Sequence, residues 1–230
     1  MTSYLNIENI ERSTAECEWH PLRPFLPRKG RVLFLGSFPP QRKRWCMDFY
    51  YPNFINDHWR IEGEVFYGDR EHFIASKPLP DPPLKGREKF AKAFDLEAII
   101  EHCERYGIGF YDTATAVRRL KDNASDKFLE VVVPTDIRTL VAEMPELRAI
   151  VVTGEKAAET ICQMLNIAEV PKVNAYVEIP STSLFSPPLM EDHGVGLELY
   201  RLPSSSRAYP LAFDKKVEAY RRMFERYIDM

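Results

Sequence analysis

Short, uninterrupted apolar runs recur along this chain, each cut off by glycine or a polar residue and most followed by a stretch of helical period. Residues 32–35 are closed by Gly36, residues 108–111 by Asp112, and residues 149–152 by Thr153 and Gly154, with residues 173–179 and 197–202 as further strand candidates. Runs of four or five apolar residues are too short for a buried helix and fit strands covered on both faces. The helical stretches are expected over residues 56–64, 88–94, 155–165 and 213–228. Two more follow the N-cap candidates Asp95 and Asp136, the first with Leu96, Ile99, Ile100 and Cys103 at helical spacing before Gly107 stops it. A proline-rich loop is expected over residues 77–86. Strands separated by helices predict an α/β fold, a three-layer α/β/α sandwich with a central, mainly parallel four-stranded sheet. In such sheets ligands bind beyond the carboxyl ends of the strands, so residues 36–40, 112–119, 153–154 and 203–210 are expected on one rim. Residues 1–30, polar and punctuated by proline, are expected to form an N-terminal arm, and residues 31–230 the domain.

The charge balance limits what can bind there. A formal net charge of -3 excludes a chain coated in basic residues for non-specific nucleic-acid binding. A local basic face remains available from Arg42, Lys43, Arg44, Arg118, Arg119, Lys121, Arg201 and Arg207. Cys17, Cys46, Cys103 and Cys162 are scattered, without a CxxC pair, so no metal, no iron–sulfur cluster and no cofactor is expected. With no apolar run long enough to span a bilayer and no secretory pattern, a cytoplasmic location is expected; separately, the chain is expected to be a monomer.

Two segments carry chemistry. The loop Gly36-Ser37-Phe38-Pro39-Pro40 is followed by rings and amides in close succession: Trp45, Phe49, Tyr50, Tyr51, Asn53, Phe54, Asn56, His58 and Trp59. Rings can stack on an extruded base and amides can bond its edge, and some of these rings are expected in the core instead. Near the other end, Leu202-Pro203-Ser204-Ser205-Ser206-Arg207 offers hydroxyls and backbone N–H groups that can grip a phosphate.

In this order the segments resemble the uracil-DNA glycosylase superfamily, most closely its hypoxanthine-DNA (deoxyinosine) glycosylase and mismatch-specific branch. That branch has a strand ending Leu-Gly-Ser-Met/Phe-Pro, here Leu35 to Pro39, and a Tyr-Tyr-Ala-His-Pro-Arg-Asn-x-Phe-Trp segment, here Tyr50 to Trp59. Its Trp-Asp strand end is similar to Tyr111-Asp112, and its Asn-Gly-x-Lys-Ala-Ala turn to Thr153-Gly154-Glu155-Lys156-Ala157-Ala158. Its Leu-Pro-Ser-Thr-Ser-Pro-Ala-Asn motif resembles Leu202 to Tyr209, with Arg207 in place of a proline. Asn53, Phe54 and Ile55 replace a His, a Pro and an Arg of the first motif. A second run, Pro180-Ser181-Thr182-Ser183, has the same residue types but is followed by a loop, and the later copy is preferred.

The resemblance implies a monofunctional DNA glycosylase of base excision repair, binding DNA with a damaged or mismatched base and hydrolysing the N-glycosidic bond of a flipped uracil or hypoxanthine. It implies catalytic roles for Asn56 and Asp112 and a base pocket of Gly36, Ser37, Phe38, Pro39, Tyr50, Tyr51, Asn53 and Trp59. DNA contacts are expected from Ser204, Ser205, Ser206, Arg207 and Arg118. The rival readings are a catalytically silent lesion- or mismatch-binding module of the same fold and a small-molecule hydrolase, the latter disfavoured because no glycine-rich phosphate loop is present.

Overall fold

The computed structural model describes residues 17–78, 90–120, 128–184 and 196–230. Lys121 and most of the proline-rich loop lie outside the described residues.

The apolar runs form one central sheet. Strands β2 (Val32–Gly36), β5 (Ile108–Asp112), β8 (Ala149–Thr153) and β10 (Glu198–Leu202) lie parallel in the order β5-β2-β8-β10. A fifth strand, β9 (Ala175–Glu178), adds to β10 antiparallel, so the sheet has five strands and not the four expected. Strand β2 is an unbroken apolar run because it is covered on both faces: Leu33, Phe34 and Leu35 are fully buried. Each such side chain contributes roughly 1.5–3 kcal/mol relative to an exposed one.

Helix α1 (His58–Tyr67) and the long C-terminal α6 (Phe213–Tyr227) pack on the Phe34 face, where Phe34 meets Phe110, His58, Tyr220 and Phe224. On the other face Met144, just after α3 (Ile137–Ala142), lies over Gly109 and Leu33. Helix α2 (Leu96–Tyr106) starts where Asp95 accepts from Ala98 N and stops at Gly107, whose positive φ of 68° suits glycine. Helix α4 (Glu155–Met164) follows Gly154, and the turn α5 (Ser181–Leu184) follows β9. Among the described residues no helix is long and apolar enough to cross a membrane.

Three further segments are strands. Residues 90–94, expected to be helical, form β4 (Phe90–Phe94), paired antiparallel with β3 (Ile74–Pro78), so Lys77 and Pro78 belong to a strand and not to the expected loop. Phe90 and Phe94 stand at both the i,i+4 spacing of a helix and the even spacing of a strand, and the partner strand decides between them. Strand β6 (Ala114–Arg119) follows β5 directly and sits between β1 (Glu18–Trp19) and β7 (Leu129–Pro134). This small antiparallel sheet contributes Ala114, Val117 and Leu129 to a cluster closed by Phe38, and so supports the loop after β2.

Residues 18–25 pack on β6 and β5. Beyond the β1–β6 pairing, Phe25 and Phe110 exchange both backbone hydrogen bonds, at 3.0 and 2.8 Å.

Candidate nucleic-acid interface at the carboxyl rim

Four strand ends build this rim: Asp112, Gly36, Thr153 and Leu202, in sheet order. Because β9 runs antiparallel, its end Glu178 pairs with the start of β10 at Glu198. The run at residues 180–183 therefore leaves from the opposite rim, whereas residues 203–207 leave from this one.

At the β5–β2 edge Gly36 pairs with Asp112, whose carboxylate lies against the face where a side chain at position 36 would stand. A Cβ there would overlap Asp112 Oδ1. That carboxylate is also held by His20, whose Nε2 donates to Asp112 Oδ2 at 3.0 Å. Gly36→Ala is thus expected to push Asp112 off His20 and to cost about 1–3 kcal/mol. Loss of the slowly exchanging His20 Nε2–H proton signal, with a lowered melting temperature, would report it; an unchanged signal would sink the account. Ser37, Phe38 and Pro39 follow, all buried. Arg119 braces this loop by donating to Pro39 O at 2.5 Å, and pairs with Glu18.

The aromatic segment divides between core and rim. Tyr50 is buried, its hydroxyl donating to Arg23 O at 2.8 Å, and burial pushes its ionisation far up. Trp59 is 1% exposed, with Nε1 on Tyr50 O and its ring among Phe49, Phe73 and Phe110. Tyr51 is the ring of these three that reaches the rim. Its backbone takes a φ of 48°, its ring stacks on His58 at 3.7 Å, and its hydroxyl meets Thr153 Oγ1 at 3.0 Å.

Asn53 and Asn56 shape the turn that enters α1. Asn53 Oδ1 accepts from Ile55 N, and Asn56 Oδ1 accepts from His58 N at 2.9 Å. Arg60 fixes the same turn by donating to the carbonyls of Phe54 and Asn56. Ile55, between them, is 57% exposed.

Asp57 joins the two motif loops. Its N–H donates to Ser205 O at 3.2 Å, and its carboxylate accepts from Arg207 Nε at 2.7 Å. Lys216 of α6, 2% exposed, donates to Ser206 O at 2.7 Å. Arg60, Arg207 and Lys216 all feel the Asp57 carboxylate, and with Arg70 and Glu71 also acting on Arg60 the cluster keeps a local positive excess in a chain of net negative charge. Burial lowers the Lys216 ammonium against the support of Asp57. Ser204 and Ser206 accept from the N–H groups of Ser206 and Ala208, which stiffens the loop. A cleft of about 380 Å³ opens beside it, lined in part by Gly154, Arg201, Ser204 and Tyr209. Arg118 stands apart on β6, paired with Glu130 at 2.7 Å. A larger depression, about 520 Å³, lies off the rim around Glu159 and Asn166.

Sequence reasoning missed His20, Asp57, Lys216 and the buried carboxylate Glu62, which lies 2.8 Å from His58 Nε2 and 2.9 Å from His102 Nε2. The i,i+4 spacing of His58 and Glu62 was available as a signal. Nothing local marks His20, which meets Asp112 across 92 positions. Among the described residues no three His, Cys, Asp or Glu side chains converge as a metal site.

No family model matches the chain, and no curated protein matches it. Nine chains of solved structures do. One is a solution NMR structure of a Methanosarcina acetivorans protein provisionally designated a uracil DNA glycosylase, 23% identical, with 90% of this chain and 98% of that one covered at a TM-score of 0.50. The two chains share a fold. The likeness extends over nearly the whole of both.

Proposed function

We propose that the protein is a monofunctional DNA glycosylase of the uracil-DNA glycosylase superfamily, close to its hypoxanthine branch, releasing uracil or hypoxanthine from DNA as a step of base excision repair. The observation that carries this reading is the meeting of the two motif loops on the carboxyl rim, where Asp57 binds both Ser205 and Arg207. The fold shared with a protein provisionally designated a uracil DNA glycosylase supports it.

Bond breaking leaves positive charge on the sugar and negative charge on the departing base, so the site needs a donor to the base and an acceptor for a water proton. With its Oδ1 occupied by His58 N–H, the Asn56 amide has its Nδ2–H groups to offer and serves as that donor. Asp112, 7% exposed at the end of β5, is the acceptor that activates water. Tyr51 provides a ring at the rim, and Ser37 with Phe38 walls the pocket. Arg207, Lys216 and the loop at residues 204–206 attract and orient the phosphate backbone. Extruding the base costs about a few kcal/mol, less at a mispair, and favours lesions before any contact to the base is made. Lys216 is buried on Ser206 O, and the motif residues 35–39, 50–59 and 202–209 include no lysine to form a Schiff base.

Purified protein incubated with labelled duplexes carrying U:G, I:T or normal pairs is expected to leave alkali-sensitive sites only at the lesions. Strand cutting without alkali would overturn the monofunctional assignment. Tight lesion binding without base release would replace an enzyme with a silent sensor.

A further inference from the structure

The N-terminal segment delivers a histidine to the rim. His20 Nε2 lies 3.0 Å from Asp112 Oδ2, and the two side chains are 1% and 10% exposed. The imidazole is caged by Tyr111 at 4.6 Å and by the edge of Phe38 at 5.3 Å, so it cannot swing away. An ionised carboxylate only accepts hydrogen bonds, which puts a proton on Nε2 facing Asp112. The other ring nitrogen, Nδ1, meets both Leu22 O at 2.8 Å and Leu22 N at 3.1 Å. A charged ring donates to the carbonyl and a neutral ring accepts from the amide, so either state fits without a turn of the ring. In both, the Nε2–H remains on Asp112.

Asp112 is thereby held from two sides, one oxygen on His20 and the other against the bare face of Gly36. Anchoring of this segment does not require the pair. Phe25 bonds Phe110 twice, β1 pairs with β6, and Tyr50 holds Arg23 O. A shielded polar pair at a strand end has a desolvation cost that anchoring alone leaves unexplained.

We propose that His20 is a positioning residue that fixes Asp112 for water activation, an inference that rests on the glycosylase reading above. In the step it serves, the C1′–N bond breaks with its electron pair leaving on the base. A water oxygen bonds C1′, and the water's proton passes to Asp112. His20 keeps its Nε2–H throughout and aims the remaining carboxylate oxygen.

Two neutral amide variants separate this role from anchoring. In His20→Gln the amide nitrogen reaches the place of Nε2 and can still donate to Asp112; in His20→Asn the shorter amide reaches Leu22 but not Asp112. Single-turnover base release and duplex affinity are measured for both, for Asp112→Asn and for the His20→Asn/Asp112→Asn pair. His20→Asn is expected to slow base release about 10–100-fold with affinity changed less than about threefold, while His20→Gln keeps most of the rate. In the Asp112→Asn background, His20→Asn is expected to add less than about a twofold loss, because the two residues act as a unit. The reverse order, with Asn active and Gln slow, would show anchoring through Leu22 and overturn the proposal, as would additive losses in the pair. A wild-type protein inactive on every lesion duplex would overturn the glycosylase reading and this inference together. An active wild type with both His20 variants unchanged would remove the inference alone.

Discussion

Glu62→Ala is expected to lower the unfolding free energy by about 3–5 kcal/mol, the usual cost of removing one partner from a buried polar pair. Glu62 is fully buried in α1, between His58 one turn on its own helix and His102 of α2, and Tyr67 holds the far nitrogen of His102 at 3.0 Å. The carboxylate is therefore the link between two helices as well as the partner of two imidazoles. Burial alone would raise its ionisation, but His58 and His102 overcome that and hold the carboxyl at about 2, below its ordinary 4.5. A depressed folded-state value has one sign: the contribution is complete above about pH 4.5 and is lost as the pH falls toward about 2. Urea unfolding between pH 7 and pH 2.5 should show wild-type stability falling below pH 4.5, with Glu62→Gln lacking that part of the decline. A loss under about 1 kcal/mol in Glu62→Ala at pH 7 would contradict the linking role.

The second large effect falls on activity. Asn56→Ala is expected to slow base release by at least about 100-fold, the scale seen when one preorganised donor is removed from a developing anion. It should unfold only about 1 kcal/mol more easily, because the bond from His58 N is one local Asx-turn bond leading into the helix. Asn56→Asp divides the two contributions: the carboxylate keeps the acceptor for His58 N and removes the N–H donor. Stability should return to near wild type and base release should not. Base release restored in Asn56→Asp would mean that position 56 acts as an acceptor toward water.

The strands that carry the rim were legible because burial on both faces leaves continuous apolar runs such as residues 32–35 and 149–152, and the caps Asp95 and Asp136 were legible because capping is local. Strand direction was not. Whether residues 175–178 join parallel or antiparallel depends on how the chain returns, and periodicity carries no record of that. The same holds for residues 90–94, whose identity as a strand depends on pairing with residues 74–78. In the aromatic segment, residue type marked Tyr50, Tyr51 and Trp59 alike, while the fold turns two inward and leaves Tyr51 at the rim. Asn56 was visible as an amide, but the occupation of its oxygen by His58 N–H was not, and that occupation leaves the Nδ2–H groups as what the side chain has to offer. His20 and Asp57 depend on contacts across 92 and 150 positions, beyond the reach of any local pattern.

The pair of backbone hydrogen bonds between Phe25 and Phe110 has a consequence outside the rim. An open sheet ends in strands whose outer N–H and C=O groups can recruit the strand of another molecule. At β5 part of that template is already satisfied by residues from the start of the same chain, and every β5 side chain is buried. At the far end β9 is only four residues long, and Arg226 lies over the exposed ring of Tyr176 at 4.0 Å. Each margin of the sheet is thus blunted by its own neighbours, one by backbone and the other by charge, which discourages edge-to-edge aggregation between copies.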